Sequence, residues 1–406
     1  MTALPETPDF DAYPIRHALC AAQVDPQADG RAVAVQWDDG LSARYSVFWL
    51  RENAPDPATT HPETREQRLQ LLEIPDDLRA VAAAIDAAGA LCVAWSTGEE
   101  SRFHPGWLRA WTHGADDADH ALPPRTAWRA DAEGLPPRFD GPKALTDEAE
   151  QARWLEALHV HGLAILEGLD ATPEVIETVP RLIGPIRETN FGPVFDVRSK
   201  TGAEATSNAY TAMTLPVHVD LATREYVPGL QFLHCLQNDA DGGDSILADG
   251  RLIAETLRAR DPEAFEALSR NKMTFYNKAR DADYRFDAPM IELDQAGEVD
   301  AVRWSPWLRA PVRAPYEVVD ALYRGMRALF RMGDDPAFQI VTKLKAGDLL
   351  GFDNRRILHG RTGFDPTTGG RWLRGCYVER EELWSRLRIL RRRARAAALR
   401  GDERAA

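Results

Sequence analysis

Cysteine is scarce in this 406-residue chain: Cys20, Cys92, Cys235 and Cys376 lie far apart and form no CxxC pair. Such scatter excludes a disulfide framework and points to a reducing cytoplasm. Long apolar runs are missing too. The richest, from Ala80 to Trp95, is interrupted by Asp86 and is too short to cross a bilayer, so no membrane role is expected. The opening Met1-Thr-Ala-Leu-Pro-Glu-Thr-Pro-Asp has neither the basic nor the apolar region of a secretory signal. Net positive charge is also absent. The formal charge of −14 sets most of the surface against a phosphate backbone, which argues against nucleic acid as a partner. The hydrophobic fraction of 44% is enough for a sizeable core, and the length exceeds what one core usually holds, so two domains are expected.

The texture of the chain supports that division. Residues 31–50 alternate in β fashion around Asp38-Asp39-Gly40, which predicts a hairpin whose second strand runs to Trp49. Residues 1–125 read as a small β-rich N-terminal domain, and residues 126–406 as a second domain. There, helical periodicity covers Asp147 to Leu158, and His161 to Glu167 reads as a buried strand. Thr172 to Ile183 reads as a helix with Thr172 as N-cap and Pro173 at the first helical position. Beyond Gly229, short apolar strands alternate with Gly/Asp/Asn turns, interrupted by helix-like inserts at 250–269 and 315–331. This pattern predicts a mixed α/β, mainly β sandwich or barrel with flanking helices. The arginines from Arg386 to Arg404 have helical spacing and read as a solvated helix packing Leu387, Ile389 and Leu390 inward.

The chemistry centres on His218-Val-Asp220 and on His359 in Asn354-Arg-Arg-Ile-Leu-His359-Gly-Arg361. In an extended segment residues i and i+2 share a side, so His218 and Asp220 converge, and a distant strand must bring His359. Two imidazoles and one carboxylate hold an oxygen-activating Fe(II) on one face and leave the other open. Taken alone, His-x-Asp equally describes a histidine beside a surface aspartate. Arg371 shares one face of a strand with Leu373, Gly375 and Tyr377. If buried it needs an anion, met by a dicarboxylate in a bidentate pair or by a structural salt bridge. Gly242-Gly-Asp-Ser245 reads as a hairpin turn.

Together these segments, with Pro228-Gly-Leu-Gln-Phe-Leu-His234 and Arg371-Trp-Leu-Arg-Gly-Cys-Tyr377, make the chain similar to the γ-butyrobetaine and trimethyllysine dioxygenase branch of the taurine dioxygenase-like Fe(II)/2-oxoglutarate oxygenases. The resemblance implies a double-stranded β-helix, a jelly-roll, as the catalytic domain. It implies that His218, Asp220 and His359 bind Fe(II), and that Arg371 and Ser245 hold the co-substrate 2-oxoglutarate. It further implies that Phe191, Phe195, Tyr210 and Tyr377 cage a trimethylammonium group by cation–π attraction, with Asn208 on the substrate. The implied reaction is hydroxylation by O2 of a small quaternary-ammonium acid, γ-butyrobetaine to carnitine first, in a homodimer. Hydroxylation of another quaternary amine, such as 2-trimethylaminoethylphosphonate, and a non-catalytic metal-bound scaffold are the alternatives.

Two departures from the family stand out. Val302-Arg-Trp-Ser-Pro-Trp307 replaces an Asn-Asn-type segment that meets the substrate carboxylate, so Arg303 or Arg309 is the expected counter-charge. The family's structural zinc, held by three Cys and one His, corresponds to Ala54, Asp56, Thr59 and Glu99. That set cannot build a tetrahedral zinc site, so no structural zinc is expected.

Overall fold

The computed structural model describes residues 3–115, 121–198, 212–277 and 282–405. The chain divides into two compact units, Met1–Leu122 with Arg391–Ala406, and Pro123–Leu390.

The first unit holds two antiparallel three-stranded sheets, Leu19–Val24, Ala32–Trp37 and Ser42–Ser46, and Ala80–Ile85, Leu91–Trp95 and Glu100–Phe103. Their inward residues, among them Val33, Val35, Trp37, Val93, Trp95 and Phe103, form one core. The Asp-Gly hairpin is present, but its second strand stops at Ser46 instead of running to Trp49. The Ser46 hydroxyl accepts from Phe48 N–H at 3.3 Å and caps the helix Val47–Glu52. Tertiary stacking fixes that turn: the Trp49 ring lies 5.0 Å from Tyr45 and 5.3 Å from Trp107. At the four zinc-equivalent positions, Ala54 is buried and offers no donor atom. The Asp56 carboxylate accepts from the Thr59 N–H and hydroxyl, both at 3.0 Å, and Arg51 donates to the Thr59 hydroxyl.

The second unit is built on two sheets. A six-stranded sheet runs in the order Arg138–Asp140, Leu163–Glu167, Leu349–Asp353, Leu230–Asn238, Arg371–Val378 and Val194–Arg198, antiparallel except for its first pair. A four-stranded antiparallel sheet runs Leu215–His218, Ile357–Arg361, Ser245–Asp249 and Gln339–Thr342. Alternation sorts the side chains of the second sheet. Leu247, Ile340 and Ile357 join Leu233, Phe352 and Leu373 of the larger sheet in one apolar core. Val217, Ala248 and Leu358 point the other way, onto the helices Gly250–Arg260, Pro262–Arg270 and Tyr316–Asp334.

Proline accounts for two differences from the sequence reading. The helix expected from Thr172 to Ile183 is only Val175–Thr178 followed by the 3₁₀ turn Pro180–Leu182. Pro180 has no N–H to continue the ladder and its ring crowds the preceding turn. The 250–269 insert is two helices, because Pro262 starts a new one behind Asp261, whose carboxylate accepts from Ala264 N–H at 3.0 Å.

A buried ion pair ties the connections to the sheets. Arg356, 1 % exposed, donates to both carboxylate oxygens of Asp249 (3.2 and 2.8 Å) and to the carbonyls of Val160 and Thr126. Asp249 in turn caps the helix Gly250–Arg260. Replacing Arg356 by Met strands a buried carboxylate and two carbonyls, so Arg356→Met is expected to destabilise the protein by about 3–5 kcal/mol. A lowered urea midpoint with unchanged slope is the expected readout; an unaltered midpoint would contradict it.

Candidate active site

Two paired strands and a turn bring the metal-ligand candidates together. Leu215–His218 pairs antiparallel with Ile357–Arg361 so that His218 stands directly opposite His359. The register slips between Leu215, opposite Arg361, and His218: three steps on one strand match two on the other. This bulge lets both Leu215 and His218 face the same cavity, which regular alternation would forbid. Pro216 sits inside the irregular stretch, and its carbonyl accepts from His218 Nδ1 at 3.0 Å. That bond places the proton on Nδ1 and leaves the Nε2 lone pair free for a metal. Gly360 permits the close strand approach. A β-carbon there would lie 2.6 Å from the Leu215 carbonyl oxygen.

Asp220 is not on a strand. The strand ends at His218, and the chain reverses through Leu221, which holds a left-handed φ of 55°. Asn354, fully buried in the turn between Leu349–Asp353 and Ile357–Arg361, holds the reversed segment. Its Oδ1 accepts from Asp220 N–H at 2.9 Å, and its amide donates to the carbonyls of Asp220 (3.2 Å) and Pro228 (3.1 Å). As a result Asp220 Oδ1 lies 3.3 Å from His218 Nε2, and Oδ2 lies 3.8 Å from His359 Nε2. The potential ligand atoms of His218, Asp220 and His359 all fall within 4.8 Å of one another.

The protonation states suit a cation. Burial, together with the neighbouring His218, pushes the His359 imidazole down to about 3, so it is neutral at physiological pH. For Asp220, burial alone would raise the carboxyl. The adjacent His218 and His359 rings and the Tyr377 hydroxyl outweigh it and hold the group well below the usual carboxylate range. A carboxylate beside two imidazoles, with the ligand atoms clustered, fits a divalent transition metal by its donor set.

Arg371 and Ser245 line the same cavity. The Arg371 Nε donates to the Gly243 carbonyl at 3.0 Å, while its Nη1 is buried with no hydrogen-bond partner among the described residues. Burial and the nearby Arg361 push this guanidinium down to about 10, which still leaves it charged. A buried cation with an unused donor calls for an anion in the cavity. Phe195 and Tyr377 stack at the wall with ring centroids 5.1 Å apart, and Phe191 lies at the rim, 45% exposed. Gly375 accommodates Phe195, since a β-carbon there would lie 2.5 Å from its ring. Asn208 and Tyr210 lie outside the described residues.

Neither expected counter-charge reaches this cavity. Arg303 is turned away into a bond with Glu292 at 3.0 Å and into the carbonyls of Ala222 and Arg224. Arg309 contacts the Met326 sulfur at 3.1 Å and lies over the Phe330 ring. Position in the chain alone suggested both, and it does not reveal which way a side chain is directed. Arg361 and Trp307 also line the cavity, and Asn354 holds the Asp220 turn, beyond the residues the sequence pointed to. Arg361 is two residues beyond His359 on one strand, so alternation alone places it beside the site. The Trp307 ring lies 4.9 Å from His218, inside the segment that departs from the family. Asn354 had no signal beyond its place in a turn.

Residues 121–377 match the family described as "Taurine catabolism dioxygenase TauD, TfdA family", and the chain belongs to that family. Residues 24–109 match "Gamma-butyrobetaine hydroxylase-like, N-terminal". The chain is 41% identical to a γ-butyrobetaine dioxygenase of Pseudomonas sp. (strain AK-1), over 95% of this chain and 99% of that one. It is 30% identical to a trimethyllysine dioxygenase of Meyerozyma guilliermondii, over 89% and 94%, and 27% identical to the human γ-butyrobetaine dioxygenase, over 92% and 98%.

Removing the Asn354 side chain should loosen the turn that carries Asp220. Asn354→Ala leaves a buried N–H and two carbonyls unpaired, and is expected to cost about 1–3 kcal/mol. Thermal unfolding would show a lowered midpoint; a midpoint equal to wild type would mean that the turn holds without it.

Proposed function

We propose that this protein is an Fe(II)- and 2-oxoglutarate-dependent hydroxylase of a small trimethylammonium acid, with γ-butyrobetaine, giving carnitine, as the first candidate. One observation carries the reading: the His218–Asp220–His359 cluster shares a cavity with the unpartnered Nη1 of buried Arg371 and with the stacked rings of Phe195 and Tyr377. The two sheets of the second unit are read as the double-stranded β-helix of the family. The first unit is read as zinc-free, with the Asp56–Thr59–Arg51 bonds standing at the zinc-equivalent positions.

His218, Asp220 and His359 would hold iron, which with O2 oxidatively decarboxylates 2-oxoglutarate to succinate and CO2 and delivers one oxygen atom to a substrate C–H bond. Three protein ligands leave coordination positions for the co-substrate and O2. Arg371 meets the distal carboxylate of 2-oxoglutarate with its free Nη1, and Ser245, on the strand beside Arg361, donates to the same molecule. Phe191, Phe195 and Tyr377, with Tyr210 by family resemblance, receive the quaternary ammonium end, while Asn208 by the same resemblance meets the substrate's anionic end. Their rings attract the cation without offering a proton acceptor, so a fixed charge binds where an ordinary amine would prefer a carboxylate. The apolar wall also keeps water from the reacting carbon.

Iron-loaded protein supplied with 2-oxoglutarate, O2 and a panel of γ-butyrobetaine, trimethyllysine and 2-trimethylaminoethylphosphonate tests this reading. The expected result is γ-butyrobetaine gaining one oxygen with matching succinate. Succinate without oxidation of any betaine would overturn the substrate assignment. In the same assay Arg371→Met should raise the KM for 2-oxoglutarate about 10-fold or more, the worth of one charge-assisted hydrogen bond. The KM for betaine should change little. Equal losses for both would remove Arg371 from the co-substrate site.

A further inference from the structure

Tyr377 performs two tasks with different parts of one side chain. It is 3 % exposed and lies on the strand Arg371–Val378, its ring lining the cavity and stacked on Phe195. Its hydroxyl donates to Asp220 Oδ2 at 2.8 Å, inside the same cavity. The other oxygen, Oδ1, is the one nearer His218 Nε2, at 3.3 Å. The hydrogen bond therefore distinguishes two oxygens that would otherwise be equivalent.

That distinction matters at a metal with three protein ligands. A carboxylate that chelates through both oxygens occupies an additional position, and the open face shrinks by one. A donor fixed on one oxygen lowers its basicity toward the metal and directs coordination through the other. It also pins the carboxylate plane, as outer hydrogen bonds do for metal ligands generally. The backbone side of the same residue is already pinned by Asn354. Asp220 is thus held at both ends, by the Asn354 amide behind and the Tyr377 hydroxyl in front.

We infer that Tyr377 is a positioning residue for the metal as well as a wall of the cation site: its hydroxyl commits Asp220 Oδ2 and presents the carboxylate through Oδ1 alone. The inference rests on the metal-site reading above and is independent of which betaine is the substrate. It assigns the hydroxyl and the ring separable consequences. Loss of the hydroxyl should act on metal affinity and on the co-substrate complex. Loss of the stacked ring should act on the quaternary amine.

Two variants separate these consequences. Tyr377→Phe keeps the ring and removes the donor, and Phe195→Leu removes the stacking partner and keeps the donor. Mn(II) binding to apo-protein, followed by electron paramagnetic resonance, reads the metal without turnover. The visible band of anaerobic Fe(II)–2-oxoglutarate protein reads the open face. Tyr377→Phe is expected to weaken Mn(II) about 10-fold or more, the usual effect of losing an outer hydrogen bond to a ligand. It should also shift the visible band while leaving betaine affinity near wild type. Phe195→Leu is expected to do the reverse. The inference is overturned if Tyr377→Phe binds Mn(II) as wild type does with an unshifted band, or if it loses betaine affinity and nothing else. Wild-type protein that binds no Mn(II) would instead overturn the metal-site reading itself. Wild type that binds metal and 2-oxoglutarate but oxidises no betaine would overturn the substrate assignment while leaving the Tyr377 comparison decisive. Thermal midpoints of both variants, expected to match wild type within a few degrees, separate a folding defect from a binding one.

Discussion

The pairing of Leu215–His218 with Ile357–Arg361 governs the rest of the site, because an antiparallel register is set in whole residues. A slip of one residue would turn His359 toward the helices and bring Leu358 or Gly360 opposite His218. The apolar pattern prevents that slip. Leu358 is buried against the helices, and Ile357 belongs to the core between the sheets. Hydrophobic burial on both faces of one short strand therefore fixes the distance between two imidazoles. The bulge at Pro216 adds one residue to its strand, so that Leu215 and His218 both face the cavity.

Charge is the second constraint. A cavity holding Asp220, Arg361 and Arg371 inside a folded core has to compensate each of them. Asp220 is compensated within the protein, by Tyr377, the imidazoles and the Asn354 turn. Arg371 is compensated only in part, through the Gly243 carbonyl, and keeps one donor in reserve. Such an incomplete arrangement lowers stability and makes sense where a ligand completes it. By contrast, Arg303 and Arg356 are fully engaged by acids and carbonyls, and they serve the framework. The difference between a structural and a ligand-seeking arginine lies in that accounting, since burial is common to all of them.

The sequence showed the side chains of the site more clearly than their supports. His218, His359 and Arg371 stand out by residue type and by alternation in short strands, Asp220 by its His-x-Asp spacing and Ser245 by the family resemblance alone, and the structure brings all five around one cavity. The segment carrying Asp220 is a turn and not the extended stretch that the His-x-Asp spacing predicts. Its turn depends on Asn354, 134 residues away, which no local pattern encodes. The strand expected to reach Trp49 became helix because Trp107 and Tyr45 hold the Trp49 ring, a tertiary override of alternation. Arg303 and Arg309 were assigned to the substrate by family position, yet Glu292 and Phe330 claim them. The helix boundaries at Pro180 and Pro262 are carried by the prolines themselves and are visible in the sequence.

The account turns on one metal held by three side chains with open positions opposite them. Anaerobic titration of apo-protein with Fe(II) in the presence of 2-oxoglutarate tests this most directly. A visible charge-transfer band that saturates at one iron per chain, and is lost in His359→Ala, is the predicted result. Protein that takes up stoichiometric Fe(II) but develops no band with 2-oxoglutarate would contradict it.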